Sequence, residues 1–363
     1  MIEPVNQRIL DGAIRHAVAL ERVKTTEVRR LVRFLNDQVE PDLVARLARH
    51  LGRGTTTEKR LQELQDAVTG VTTGGYARLG EHLSERLNEI GLAEAEWNRA
   101  MLQWAMPVGI TVDLRSPHIG ILKASLAKGR VQGELVQDLV KLSGRATARK
   151  VMGQIHIGLA QGEGIDRIVR RIRGTRARGY ADGILSTSRR NIEALVRTSI
   201  SDIVNRAGEA VYEANRDVVK GVQIVATLDT RTTDICIHYD GQVFDVGEGP
   251  RPPFHYGCRT RTVPVLRSWR QLGIKAGELE PGTRASMDGQ VSEKLTYNEW
   301  LKKQPAAVQD EVLGPTRGRL YREGKVKIDR FSVDGRRLTL EELRRREGLN
   351  SEDLRAARRK ARK

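Results

Sequence analysis

The chain has 363 residues, 39% of them hydrophobic but only 4% aromatic, and a formal net charge of +17. Two cysteines cannot build a disulfide framework, and no run of about 18 apolar residues is present to span a membrane, so a reducing, cytoplasm-like setting without a membrane partner is expected. The opening stretch MIEPVNQRIL has neither a basic n-region nor an apolar h-region, so no signal peptide is expected.

Length alone suits two or three domains of about 100–200 residues each. Residues 1–130 read as a helical N-terminal region. Leu31, Leu35, Leu43, Leu47 and Leu51 recur at helical spacing, with Pro41 as a break or a helix start. The stretch TTTEKRLQELQDAV carries Thr55 three residues before Glu58, a capped-start pattern. Glu and Arg alternate on these faces, as on solvated helices. From Pro107 to about Gly133 the pattern is mixed and reads as a connector or a short strand.

Residues 131–217 read as a second helical, basic region. Ile165, Ile168, Val169 and Ile172 form one stripe in GIDRIVRRIRG, and the loop RGTRARGYADG follows. Between Arg145 and Arg190 there are 11 Lys or Arg against 3 Asp or Glu. Arg170, Arg171, Arg173, Arg176 and Arg178 are the candidate phosphate contacts. No ladder of aromatics accompanies them, which suits backbone contact rather than base recognition. A solvated helix face is the plainer alternative. NIEALVRTSISDIVNRAGEAVYEAN is the clearest helix, with Ile192, Leu195, Val196, Ile200, Ile203, Val204 and Val211 at three- and four-residue steps.

At residues 218–268 the period changes to two. Val222, Ile224, Ala226 and Leu228 alternate with their neighbours as in a strand, and RTRTVPVL reads as a second strand whose Pro264 favours an edge. Residues 269–363 return to helices and end in a basic tail: Arg355, Arg358, Arg359, Lys360, Arg362 and Lys363 make six cations in the last nine residues. Such a tail is a solvated end or a nucleic-acid arm. The expected fold class is α+β, predominantly α-helical, with a small β unit around residues 219–266 able to hold a zinc-knuckle-like hairpin.

Both cysteines fall in that unit. Cys236, His255 and Cys258 offer two thiols and an imidazole, with His255 and Cys258 in an H-x2-C spacing. Zinc favours such donors in sets of four. Asp229, Asp234 and His238 are the candidates for the fourth position, His238 because it would share a strand face with Cys236. The alternative is a pair of buried free thiols beside a loop-bonding histidine. Asp229 next to Arg231 suits a cap on the turn after the strand, and Gly241 suits a tight hairpin turn.

The stretch LDTRTTDICIHYDGQVF, followed by GPRPPFHYGCRTRTVPV, resembles the signature of tailed-phage minor head proteins of the Mu F-like head morphogenesis family. The matching positions are Asp229, Arg231, Thr232, Cys236, Asp240, Gly241, Pro253, His255, Cys258 and Arg259. The flanking VRTSISDIVNRA and YNEWLKKQPAAVQDEVLGPTRGRLYREGKVKIDRF agree, so the resemblance covers roughly residues 135–345. Many relatives carry a further cysteine where this chain has Thr233. The resemblance implies a structural virion protein rather than an enzyme. It would sit in the head interior near the portal vertex after assembly in the host cytoplasm. It would act in head morphogenesis and in DNA packaging or ejection. Its implied partners are portal protein, major capsid or scaffold protein, and double-stranded DNA held without sequence preference. Zinc is the implied cofactor. Two other classes stand beside this one. A metal-dependent nuclease would have to use His238 and Asp240, and a sequence-specific regulator would need a recognition helix that the spread of arginines does not supply.

Overall fold

A computed structural model describes residues 7–52, 57–127, 130–131, 134–277, 283–292, 294–333 and 336–360. The chain begins with α1 (Gln7–Phe34), a π-turn over Leu35–Val39, α2 (Glu40–Leu51) and the long α3 (Glu58–Ala105). Thr57 caps α3 by accepting the Arg60 N–H, and the chain leaves the helix at Met106, just before Pro107. The cap is thus two residues later than the Thr55 pattern predicts; Thr55 itself lies outside the described residues. An extended segment then leads to α4 (Ile119–Ala127), so part of the stretch read as a connector or strand is helical. A minimal hairpin follows, β1 (Arg130–Val131) with β2 (Glu134–Leu135), and then α5 (Val136–Ala160), α6 (Ile165–Arg173) and α7 (Leu185–Ala214).

These helices share one core with the face of the sheet that follows. It runs from Ile9 and Leu47 through Leu79, Val140 and Ile200 to Val222 and Trp269. The segments 1–130, 131–217 and 218–268 therefore bury their apolar stripes against each other. Close approach is built in where α5 crosses α3: a side chain on Gly144 would meet the Tyr76 Cβ at 2.9 Å. Beside that crossing the Thr147 hydroxyl lies 3.1 Å from the Tyr76 hydroxyl and 2.9 Å from that of Ser188, which satisfies three buried polar groups at once. Arg189 joins α7 to α2 through Glu40 and also donates to the Tyr180 carbonyl at 2.5 Å.

The sheet is antiparallel, in the order β4–β3–β5, built from β3 (Val219–Val225), β4 (Val243–Asp245) and β5 (Arg261–Leu266). Val222 pairs with Phe244 on one side and Pro264 on the other. Pro264 thus lies on an edge strand, where its missing N–H removes no ladder bond between two neighbours. Between β3 and β4 the chain forms a short helix, α8 (Asp234–Tyr239).

A second core assembles the C-terminal part. The hairpin β6 (Thr283–Ser286) with β7 (Gly289–Ser292) precedes α9 (Tyr297–Lys303), α10 (Ala306–Leu313) and α11 (Pro315–Arg322). A last hairpin, β8 (Ser332–Val333) with β9 (Arg336–Arg337), leads to α12 (Leu340–Glu347) and α13 (Ser351–Lys360). Both α9 and α12 open on full capping boxes, Thr296 with Glu299 and Thr339 with Glu342. Leu228, just past β3, is buried in this second core with Trp300, Leu301, Leu320, Phe331 and Leu343. The Met287 N–H donates to its carbonyl at 2.9 Å. Among the described residues, no helix is long and apolar enough to cross a membrane.

Candidate metal centre

Cys236 stands in the middle of α8, and His255 and Cys258 lie at the two ends of one tight turn in which the Cys258 N–H donates to the His255 carbonyl at 3.2 Å. That turn is pinned to α7. The Gly257 N–H donates to the Thr198 hydroxyl at 2.9 Å, and the Ser201 hydroxyl donates to the Cys258 carbonyl at 3.2 Å. The preceding loop is tied to the same helix by Glu209, whose carboxylate takes both Arg251 Nε and Nη2 at 3.0 Å and the Gly247 N–H at 2.6 Å. The strand-turn-helix connection places Cys236 opposite. Its Sγ is 3.3 Å from His255 Nε2 and 3.7 Å from Cys258 Sγ. Both sulfurs are buried, with Ala226, Ile235 and Phe254 around them.

This triad fits a tetrahedral ion. Two thiolates each about 2.3 Å from a zinc would lie about 3.8 Å apart, and a thiolate and an imidazole nitrogen about 3.5 Å apart. A disulfide would need the sulfurs at about 2 Å, so the cysteines are free thiols here. His255 Nδ1 donates to the Tyr256 carbonyl at 2.9 Å, which leaves Nε2 to face the sulfurs; metal-ligating histidines are usually oriented in this way. The two thiols are unequal. A hydrogen bond from the Cys236 thiol and another from His255 hold the Cys258 thiolate and lower Cys258, whereas the same bond and burial raise Cys236. The Cys258 thiolate in turn raises His255.

None of the three candidates for a fourth position joins the group, which among the described residues consists of Cys236, His255 and Cys258. Asp229 binds the Arg259 guanidinium with both oxygens, at 2.6 and 2.8 Å, and accepts the Arg231 N–H at 3.1 Å. Thr232 completes this turn by donating its hydroxyl to the Thr227 carbonyl at 2.5 Å. Burial would raise the Asp229 carboxyl, but Arg259, Thr232 and the Arg231 N–H outweigh it and hold it below the usual carboxylate range. Asp234 is engaged by Arg337 of β9, two bonds at 2.6 Å. His238 packs edge-on against Tyr239. The reason is the period: Cys236 and His238 sit on a helix rather than a strand, and two residues along a helix turn about 200°. His238 therefore faces away from Cys236.

Asp240 is buried too deeply to work as a reactive partner for His238. Its side chain is 1% exposed and pairs with Arg284, itself 4% exposed, at 2.6 and 2.9 Å. It also accepts the Ala226 N–H at 2.8 Å and the Tyr297 N–H at 2.9 Å. One carboxylate thus locks β3, β6 and the start of α9 together. Gly241 follows with a φ of 80°, and its N–H returns to the Ile224 carbonyl at 2.8 Å. Pro253 follows Pro252 through a cis peptide two residues before His255. Sequence reasoning singles out Asp240 but not its partner Arg284, which lies 44 residues on with no motif around it.

The basic candidates divide. Arg170, Arg176 and Arg178 are exposed on the last turn of α6 and the loop beyond it. Arg171 instead ion-pairs with Glu163, and Arg173 lies over the Tyr180 ring at 4.7 Å. Arg355 is exposed on α13, while the side chains of Arg358, Arg359 and Lys360 and the whole of Arg362 and Lys363 lie outside the described residues.

Fold and site together define a predominantly helical α+β protein with a thiol–imidazole triad clasped between a three-stranded sheet and α7, the helix that precedes it. The family model described as Phage Mu protein F like protein matches residues 149–263, from the middle of α5 into β5, and includes all three triad residues. Over that segment, under a third of its length, the chain is similar to the Mu F-like phage proteins. No curated protein and no solved structure matches it.

Proposed function

We propose that the protein is a minor head component that resides in the virion near the portal vertex, acts in head morphogenesis, and contacts packaged DNA without reading its sequence. The observation that carries this reading is the Mu F-like segment over residues 149–263. Charge supports the DNA part. A net +17 chain raises the local concentration of polyanions. The exposed Arg170, Arg176 and Arg178 form a cluster on a helix end and loop, a place where guanidinium groups reach phosphates without entering a groove. Portal, capsid or scaffold protein would meet the outer faces of α1 to α3, which lie before the matched segment.

Zinc is the ion that the triad suits best, through Cys236, His255 and Cys258, with the fourth position taken by a group from outside the triad. When bound, it would tie α8 to the 255–258 turn and so fix the small sheet against α7. Its role in this reading is structural.

The DNA part is tested by titrating two unrelated duplexes at several salt concentrations. Equal affinities for both duplexes and a steep salt slope are expected. Replacing Arg170, Arg176 and Arg178 with Ala should flatten that slope by about 2.7 if all three meet phosphates. An unchanged slope would remove this cluster from the interface, and a strong preference for one duplex would favour a sequence-specific regulator.

A further inference from the structure

The helix pair α1 and α3 has one covered side and one open side. The two helices run antiparallel, with Gly12 against Met101, Glu27 paired with Arg86, Phe34 edge-on to His82, and Val39, just beyond α1, against Gly75. Helices α5 and α7 close one side, through Gly144 on Tyr76, Tyr212 on Asn98 and Arg197 on Glu21. The open side carries two rows of exposed charge. On α1 the row is Arg15, Arg22, Arg29 and Arg33, whose steps of seven and four residues keep it on one face. On α3 it is Glu81, Glu85, Glu89 and Glu96. Interpolated between the helix contacts, the four arginines stand level with Asn98, Gly91, Ser84 and Gly80, so each has an acid of the other row within about 3 Å of its own height. Where the first row changes sign, the second does too: Asp37, exposed in the π-turn, stands near the height of the exposed Arg78. Some of these charges are engaged within the chain, Glu89 with Arg86, Glu96 with Arg99, and Arg15 over the Trp104 ring at 5.8 Å. Among the described residues, no hydrogen bond or ion pair reaches the side chains of Arg22, Arg29, Arg33, Glu81 or Glu85.

We infer that this face is a contact between two copies of the chain, related by a two-fold axis parallel to the helices. Such an axis lays the α1 row of each copy over the α3 row of the other at the same height. It sets Arg29 and Arg33 against Glu85 and Glu81, Arg22 near Glu89, and Asp37 against Arg78, each pair occurring twice. DNA fits this face less well, because a duplex lying on α1 would also cover the acidic row, only about 8–10 Å away. The face measures about 27 Å from Arg15 to Arg33 and about two helix widths across, roughly 500 Å² per copy. That size belongs to weak associations, and its charged rows make the contact salt-sensitive. The inference depends on neither the DNA nor the zinc reading, and leaves α2 and the first half of α3 to the partners proposed above.

The test is sedimentation equilibrium of the full chain at about 0.1 M and about 1 M salt. A monomer–dimer equilibrium is expected, weaker by about tenfold or more at the higher salt. The double variant Arg29→Glu with Arg33→Glu should be monomeric, and so should Glu81→Arg with Glu85→Arg, because each then opposes like charges across the axis. Mixed in equal amounts, the two variants should form a dimer with one copy of each, since the reversed α1 row meets the reversed α3 row. All four positions are exposed, so both variants should keep the melting curve of the natural chain, which separates a lost contact from a lost fold. A natural chain that stays monomeric at low salt would overturn the proposal, as would variants that dimerise alone or a mixture that stays monomeric. A monomeric natural chain whose DNA affinity falls on Arg29→Glu with Arg33→Glu would assign the face to DNA instead.

Discussion

Replacing Arg284 with Met isolates the link that the structure makes most of. The Arg284 guanidinium donates two bonds to Asp240, one to the Leu295 carbonyl and one to the Ala226 carbonyl, all inside the protein. Met keeps the unbranched apolar stem but removes the guanidinium, leaving the Asp240 carboxylate, 1% exposed, with two backbone N–H donors among the described residues. Breaking a buried pair from one side costs about 3–5 kcal/mol, a large part of the roughly 5–15 kcal/mol that holds a folded domain. The loss should fall on the second core, whose Trp300 is 1% exposed and reports on it by fluorescence. Urea unfolding followed at the tryptophan band is therefore expected to shift to clearly lower concentration. Adding Asp240→Asn should recover part of the loss, since the amide removes the unpaired charge and can donate to the freed Ala226 or Leu295 carbonyl. A cost under about 1 kcal/mol for Arg284→Met, or a double variant as weak as the sum of the single ones, would refute the claim that this pair couples the sheet to the C-terminal helices.

Three further outcomes follow from the same contacts. Gly183→Ala would place a methyl group 2.2 Å from the Arg173 carbonyl carbon and 2.3 Å from the Gly174 nitrogen, both backbone, so a loss of about 2 kcal/mol or more is expected in thermal melts. The Asp229 carboxyl is held below its ordinary range, so its stabilisation is full above that range and is lost as pH falls through the folded value. The gap in melting temperature between the natural chain and Asp229→Asn should accordingly shrink on going from pH 7 to pH 3, and a constant gap would refute the assignment. Elemental analysis of the purified protein should find one zinc per chain, lost in Cys258→Ser; a metal-free natural chain would reduce the triad to buried thiols beside a histidine.

Much of the fold is written locally. The helices over 165–173 and 185–214 show in the three- and four-residue steps of their isoleucines and valines, because each needs one buried stripe. The strand shows only in part: of the alternating Val222, Ile224, Ala226 and Leu228, the first two lie in Val219–Val225, while Ala226 and Leu228 fall past its end, and Gln223 between the first two is buried as well. Local patterns fail where short segments suit either geometry. DICIHY alternates polar and apolar residues like a strand, yet a helix of six residues, entered at Thr233, costs no alternation and turns Cys236 toward the other triad residues. The triad was legible because His255 and Cys258 are close in sequence. What was not legible is what the neighbouring carboxylates do. Asp234 and Asp240 read as candidates for a ligand and a reactive group, but Arg337 and Arg284, 103 and 44 residues away, take them. No local spacing encodes such partners; they are chosen by where the second core docks.

The most direct test of the proposed function is quantitative mass spectrometry of purified, DNA-filled particles whose genome carries the gene for this chain, with the major capsid protein as the internal standard. The account predicts a few copies per particle, retained after extensive washing. Absence from filled particles would contradict the assignment as a minor head component, as would an amount comparable with the capsid protein itself.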